Sequence, residues 1–337
     1  MNWLSRLFPR KKEGEALYTD ALECLLRGDT EGAFLKLRDL VKTDTSHINA
    51  YVKMGDILRE KGKPDQAVKI HQSLKFRQNL TAAQKIEIHT SLARDYYALG
   101  RLARAEDNTN EVLRVDKKNA WAAEFLVQVS ERGQRWEEAS EYFKRVEKIG
   151  GKDDLRRHAY YRTMEGKAKE ETGRAEDARG DYLKATKMDD TYPDPYLYLG
   201  NLYQREKNLE KAAENWMRFA ELSPGSGKQV FGRLEKALFE LGRFGQMEEF
   251  YRKLTSKDPD NMDALWGLIN VLQAKGELDQ AMALIDDILS RNEKSIPARL
   301  ARLKLSLSRT NQDQLSAEVD EILKLIHPGN GPAVRSS

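Results

Sequence analysis

Between Pro193 and Pro224 the chain reads PDPYLYLGNLYQREKNLEKAAENWMRFAELSP. Tyr196, Leu199 and Tyr203 follow one another at steps of three and four residues, and Trp216 comes four residues after Ala212. Such spacing lines side chains along one face of an α-helix. Two stripes of this kind, joined by a short polar stretch, describe two antiparallel helices. Gly200 and Ala212 are small where the two helices must approach closely. One helix pair cannot bury its own stripe, so the pattern calls for neighbours of the same kind.

The neighbours are present. A Gly-x4-Ala pair, marking the turn and then the small residue of the second helix, recurs at Gly28/Ala33, Gly62/Ala67, Gly100/Ala105, Gly173/Ala178 and Gly276/Ala281. Trp136 to Ala139 and Gly242 to Met247 are degenerate versions. The successive markers Ala33, Ala67, Ala105, Ala139, Ala178, Ala212, Met247 and Ala281 are separated by 34, 38, 34, 39, 34, 35 and 34 residues. Eight repeats phase in this way, with insertions near Gln78–Gln84, Gly150–Asp154 and Gly225–Gly227. A weaker ninth unit, Ile296 to Ile326, reads as a polar capping pair. Glycine between the helices supplies a turn that a side chain would oppose. Asp116–Asn119 and Asp258–Asn261 read as helix breaks with N-cap candidates.

The order of bulky and small residues from Tyr196 to Pro224 resembles the tetratricopeptide-repeat family. That resemblance implies an all-α superhelical solenoid of about eight helix pairs plus a C-terminal capping pair. The expected layout is an N-terminal amphipathic, basic segment over residues 1–13, the solenoid over 14–326 and a disordered tail over 327–337. An array of this kind grows in one dimension and needs no single large core.

Composition agrees with a thin, water-exposed array. Of 337 residues, 33% are charged, and 57 Lys and Arg against 54 Asp and Glu leave a net charge of +3. So balanced a chain gives no reason to expect nucleic acid as a partner. Cys24 is the single cysteine, which excludes an internal disulfide and a cysteine-based zinc site and suits a reducing compartment. No apolar run is long enough to span a bilayer, and Met1–Lys12 lacks the apolar core and cleavage site of a signal peptide. The expected location is cytoplasmic by default; a peripheral place at the inner membrane is what a second family resemblance and the segment Met1–Lys12 add to it.

Catalytic and metal-binding constellations do not emerge. His47, His71, His89, His158 and His327 form no H-E-x-x-H motif, and His71 sits where the large residue of a second helix packs. Pro224-Gly225-Ser226-Gly227-Lys228 superficially resembles a phosphate loop, but Leu222 and Gln229 occupy positions where that motif needs Gly and Ser or Thr. It reads as a flexible loop between repeats. No enzyme activity, metal or cofactor is expected.

The family resemblance implies that first helices line a groove. Its groove positions fall on Arg94 and Tyr97 in the third repeat, Trp121, Phe125 and Arg132 in the fourth, and Lys167 in the fifth. The sixth supplies Asn201 and Arg205, and the eighth Trp266 and Asn270. Aromatics and arginines are the residues that dominate protein interfaces. Trp121 and Trp266 can equally serve as packing between neighbouring helices. The Lys and Asn clamp of chaperone-binding relatives is missing, because Asn201 is paired with Leu197 and Asn270 with Trp266. At the start, Trp3, Leu4, Leu7 and Phe8 share a helical face, followed by Arg10, Lys11 and Lys12. Such a segment either touches an anionic bilayer or packs on the first repeat.

A second resemblance is narrower. Gly55-Asp56-Ile57-Leu58-Arg59, Gly62, Ala67, Ile70-His71-Gln72-Ser73-Leu74, Leu80-Thr81, Asp95-Tyr96, Gly100 and Ala105-Glu106 are similar to the lipopolysaccharide assembly protein B family of bacteria. That resemblance implies a membrane-anchored cytoplasmic scaffold, an adaptor in proteolytic control of a lipid A deacetylase. The family begins with a transmembrane helix and ends with a rubredoxin-like zinc module bearing two Cys-x2-Cys pairs; neither has a counterpart between Met1 and Ser337. The expected function is therefore a protein-binding scaffold or adaptor in envelope biogenesis or its proteolytic control. The alternatives are a peripheral membrane-associated oligomeric scaffold and a regulatory subunit of an enzyme complex.

Overall fold

The structure is a computed structural model, described for residues 9–307 except 260 and for 319, 320, 322, 323 and 326. Every regular element among the described residues is an α-helix. First and second helices alternate along the chain. They are α1 (Pro9–Leu26) and α2 (Thr30–Thr43), α3 (Ile48–Glu60) and α4 (Pro64–Leu74), α5 (Ala82–Ala98) and α6 (Leu102–Val115), α7 (Ala120–Arg132) and α8 (Trp136–Gly150). There follow α9 (Leu155–Glu171) and α10 (Ala175–Met188), α11 (Asp194–Arg205) and α12 (Leu209–Leu222), α13 (Pro224–Glu240) and α14 (Phe244–Lys257), α15 (Met262–Ala274) and α16 (Leu278–Arg291). α17 (Ile296–Leu307) opens the ninth unit. Most of that unit's remainder, and the expected tail 327–337, lie outside the described residues, as do Trp3, Leu4, Leu7 and Phe8. The backbone of Arg10, Lys11 and Lys12 belongs to α1.

The helix-crossing residues sit where the spacing predicts. All eight markers, Ala33 to Ala281 with Met247 among them, have no exposed surface. Four residues further on, Leu37, His71, Thr109, Phe143, Tyr182, Trp216, Tyr251 and Ile285 are all buried. Gly200 is required by Trp216, because a Cβ there would overlap the indole ring. Gly55 has the same relation to the ring of His71.

Turn geometry repeats as strictly. In each of the eight turns from first to second helix, the residue five before the marker has a positive φ. Six of these are glycines, while Gln134 (φ 55°) and Lys207 (φ 60°) hold the left-handed conformation with a side chain. Asn119, Asn208 and Asn261 cap their helices by accepting the N–H of Ala122, Lys211 and Ala264 at 3.0–3.1 Å.

The insertions do something the spacing alone does not show. Among the four helices α5, α9, α13 and α15, the first three have 17 residues and the last 13, while α3, α7 and α11 have 13, 13 and 12. Together with the 18-residue α1, every second repeat thus begins with an extra N-terminal turn. Pro224–Lys228 is therefore not a loop, contrary to the sequence reading. It forms the first turns of α13, with only Ser223 separating it from α12. Proline is preorganised for the first helical position, and Gly227 is buried against Ala220, where a Cβ would come within 3.1 Å.

The chain divides into two compact units, Met1–Ala168 and Lys169–Ser337, with the division inside α9. In the first, Val52, Leu74, Ile88, Leu92 and Tyr96 form one core cluster and Leu37, Leu40, Met54 and Ile57 another. In the second, a larger core surrounds Trp216, Phe219, Leu234, Tyr251 and Leu268. No helix among the described residues is long and apolar enough to cross a membrane.

Two glycine substitutions separate packing from propensity. Gly180, inside α10, has nothing within 4 Å of where a Cβ would stand. Gly180→Ala is expected to raise stability by about 1 kcal/mol through helix propensity alone. Gly200→Ala gains the same propensity but must displace Trp216, and is expected to lower stability by about 1–3 kcal/mol. Urea unfolding of both variants checks the opposite signs.

Candidate protein-docking site

Five of the ten groove residues come together on the successive first helices α5 and α7. The Arg94 guanidinium lies 5.1 Å from the Trp121 ring centre, and Trp121 stacks on Phe125 at 4.8 Å. Phe125 in turn meets Tyr97 at 5.3 Å, and Arg132 lies 4.4 Å over the Tyr97 ring. Arg132 also donates to the Tyr97 carbonyl at 2.5 Å, which ties α7 to the end of α5. The result is a ladder with a guanidinium at each end and three aromatic rings between. Phe125 is buried and anchors it, Trp121 and Tyr97 are half-buried, and both arginines are exposed.

Helical spacing explains the assembly. Trp121 and Phe125 are one turn apart on α7, and Arg94 and Tyr97 nearly one turn apart on α5, so both pairs face the same way. The acids nearby are already engaged. Arg157 reaches Glu124 at 2.8 Å and Glu131 at 3.6 Å, and Glu131 accepts from the Tyr161 hydroxyl at 2.6 Å. Lys53 holds Glu87 at 3.1 Å. Arg94 and Arg132 have no carboxylate partner among the described contacts, so the two ends of the ladder are exposed cations without an ion pair there.

The other five predicted residues lie apart. Lys167 is half-buried on α9. In the second unit, Asn201 is internally committed, accepting from Trp216 Nε1 at 3.1 Å and from Arg233 at 2.6 Å. Arg205 is paired with Glu170. Trp266 is half-buried against the core of that unit, as Trp121 is against the core of the first, while Asn270 is exposed.

Beneath the ladder's neighbour repeat is a buried polar network that the sequence reading missed. Asp95 has no exposed surface; its Oδ2 lies 2.6 Å from His71 Nδ1, and its Oδ1 accepts from Arg59 at 3.0 Å. His71 Nε2 faces the Val52 carbonyl at 3.0 Å. Arg59 also reaches Asp56 at 2.7 Å, and Ser91 donates to the same Asp56 oxygen at 2.9 Å. Burial opposes the charge on Arg59, but Asp56 and Asp95 outweigh it and hold its pKa above the usual value. His89, bonded to Asn108 at 3.1 Å, is shifted the other way, first by burial and in part by the charge of Lys75. The sequence places His71 at a packing position, but its partner is 24 residues away and no local pattern joins them.

Comparison with known proteins agrees with this architecture. Tetratricopeptide-repeat family models match residues 90–154 and 163–226, and 238–305. Lipopolysaccharide assembly protein B of Escherichia coli strain K12 is 24% identical over 279 residues, which is 82% of this chain and 70% of that protein. The protein of the same name from Haemophilus influenzae is 24% identical over 69% of this chain and 61% of its own length. Among solved structures, the Naa15/Naa10 complex bound to HypK-THB is similar with a TM-score of 0.47 and 14% identity. That match covers 95% of this chain, which spans about half, 48%, of the solved chain. A tetratricopeptide repeat protein from Parabacteroides merdae aligns at a TM-score of 0.37 and 15% identity, covering 96% of both chains.

The ladder and the network differ in what they hold together. Arg59→Ala strands Asp95 without its cation in the interior and is expected to destabilise the fold by about 3–5 kcal/mol. Arg94→Ala removes one exposed cation–π contact and is expected to cost under about 1 kcal/mol. Thermal melts of the two variants give the comparison.

Proposed function

Because the chain belongs to the tetratricopeptide-repeat family, whose repeats present surfaces to other proteins, we propose that it is a non-enzymatic scaffold. A segment of its partner docks across α5 and α7. The observation that carries this reading is the ladder of Arg94, Trp121, Phe125, Tyr97 and Arg132, whose two guanidinium ends have no carboxylate partner among the described contacts. Aromatic rings on a rigid helix face offer large contact area at little entropic cost, and unpaired guanidinium groups select acidic groups in planar geometry. The partner segment is therefore one with an apolar or aromatic side chain flanked by acids.

The similarity to proteins named for lipopolysaccharide assembly leads us to place the partner in that process. The scaffold reading rests on the ladder and the family; the process rests on the relatives' name. The docking site of this reading lies in the first unit, while Asn201 and Arg205 are engaged with Trp216, Arg233 and Glu170.

Gln128 is exposed on α7, between Phe125 and Arg132, and accepts a photo-crosslinking residue without disturbing the core. The expected result is a protein partner crosslinked at position 128 in cells and lost in Arg94→Glu/Arg132→Glu, with the helical circular dichroism retained even where loss of the Arg132 bond to the Tyr97 carbonyl lowers the melting temperature. Equal crosslinking by the double variant would remove the ladder from the interface. In the identified partner, neutralising the acids of the crosslinked segment is expected to give the same loss.

A further inference from the structure

Along one edge of the first unit, second helices hand over to the next first helices through three successive connections, residues 75–81, 116–119 and 151–154. At each connection one apolar side chain stands in solvent. Phe76 is 86% exposed, Val115 at the end of α6 is 41% exposed, and Leu155 at the start of α9 is 61% exposed. The extra turns of α5 and α9 carry these helices out toward the same edge.

Cations surround the apolar residues. Lys75, Arg77, Lys117, Lys118, Arg145 and Lys152 form no ion pair among the described contacts. Arg77 lies 5.9 Å over the Tyr51 ring, and Arg145 donates to the Lys117 carbonyl at 3.1 Å. Arg114, Lys117 and Arg145 line a shallow cleft of about 400 Å³ with Asn110 and Leu113. Most acids of the edge are occupied. Glu111 pairs with Arg114. Asp116 accepts the Lys118 N–H at 3.1 Å and the Asn119 side chain at 3.2 Å. Glu147 holds His158 and the Asp154 N–H, both at 2.8 Å, and Asp154 accepts the Arg157 N–H at 2.9 Å. Asp153 is the exposed acid that has no such role.

We infer that this edge seats on the surface of an anionic lipid bilayer. A polyanion such as nucleic acid would reward the cations alone. A bilayer rewards both features, since lysine and arginine meet the headgroups while apolar side chains enter the acyl boundary beneath them. One exposed apolar residue per connection, each beside cations, fits the second case. The edge lies at the connections and not on the ladder face, so this inference does not depend on the scaffold reading.

The test uses the full chain and flotation with vesicles of phosphatidylcholine containing phosphatidylglycerol. The intact chain is expected to float with these vesicles, to be released by salt, and to ignore vesicles of phosphatidylcholine alone. Each cation near such a surface contributes about fivefold in partitioning, so Lys75→Glu/Arg77→Glu/Lys117→Glu/Lys118→Glu should lower binding by more than about tenfold. Phe76→Ser/Leu155→Ser should also lower it, with circular dichroism unchanged because both residues are exposed. Three results would overturn the inference. The intact chain does not float; both variants float like wild type, which moves the contact elsewhere, for instance to Met1–Lys12; or duplex DNA binds through the cations while Phe76→Ser/Leu155→Ser leaves flotation intact. Crosslinking at position 128 in the same variants reads the scaffold function separately.

Discussion

Everything in this array depends on how closely two helices can approach inside one repeat. The second helix presents a residue of almost no bulk at the crossing, and seven of the eight such residues are alanine. One turn later it presents a flat or branched side chain that covers the first helix. The backbone of the first helix must leave room for that cover, which is why Gly55 and Gly200 stand opposite His71 and Trp216. A helix face cannot both approach closely and carry a large side chain at the same level. The repeat solves this by placing the small and the large residue a turn apart.

That constraint determines where variation is allowed. The covering residue is Leu, His, Thr, Phe, Tyr, Trp, Tyr and Ile in successive repeats, and its polar members acquire partners. Tyr251 donates to Glu235 at 2.6 Å and Trp216 to Asn201 at 3.1 Å. Tyr182 donates to Glu170 at 2.6 Å, and burial, with that carboxylate, drives its pKa upward. His71 draws in Asp95, Arg59, Asp56 and Ser91. Buried polar networks of this sort do not maximise stability, but they penalise any shift in register, because every member must then lose a partner. The first helices α5 and α7 carry the arginines and aromatics of the ladder, where Phe125 joins the core while Arg94 and Arg132 stay exposed.

Most of the fold was legible because its signal is local. The marker spacing identified all eight repeats, and the asparagines at 119 and 261 announced helix starts that the structure contains. Where the reading failed, the determinant was not local. Gly225 and Gly227 resemble a loop in isolation, yet Gly227 is small because Ala220 of the preceding helix presses on it. The ladder was half legible. Family spacing put Arg94, Tyr97, Trp121, Phe125 and Arg132 on groove positions, but it put Asn201 and Trp266 there as well. The hydrogen bonds of Asn201 to Trp216 and Arg233, which commit it internally, involve partners 15 and 32 residues away that no local spacing joins to it. The exposed edge of Phe76, Val115 and Leu155 was not legible at all, since exposure in a helical array follows from neighbours that are more than 30 residues away in the chain.

The extra turn at the start of α1, α5, α9 and α13 also bears on how such a chain can change length. Long and short first helices alternate along the chain, so the sequence period is two repeats, and equivalent markers in the long-helix repeats, Ala33, Ala105, Ala178 and Met247, stand 69–73 residues apart. Gain or loss of one repeat would bring two long or two short helices side by side and leave a step in the stack. Gain or loss of a pair would leave the alternation intact. Homologous arrays should therefore differ in length by even numbers of repeats, with the pair as the unit that recombination can copy or delete without a scar.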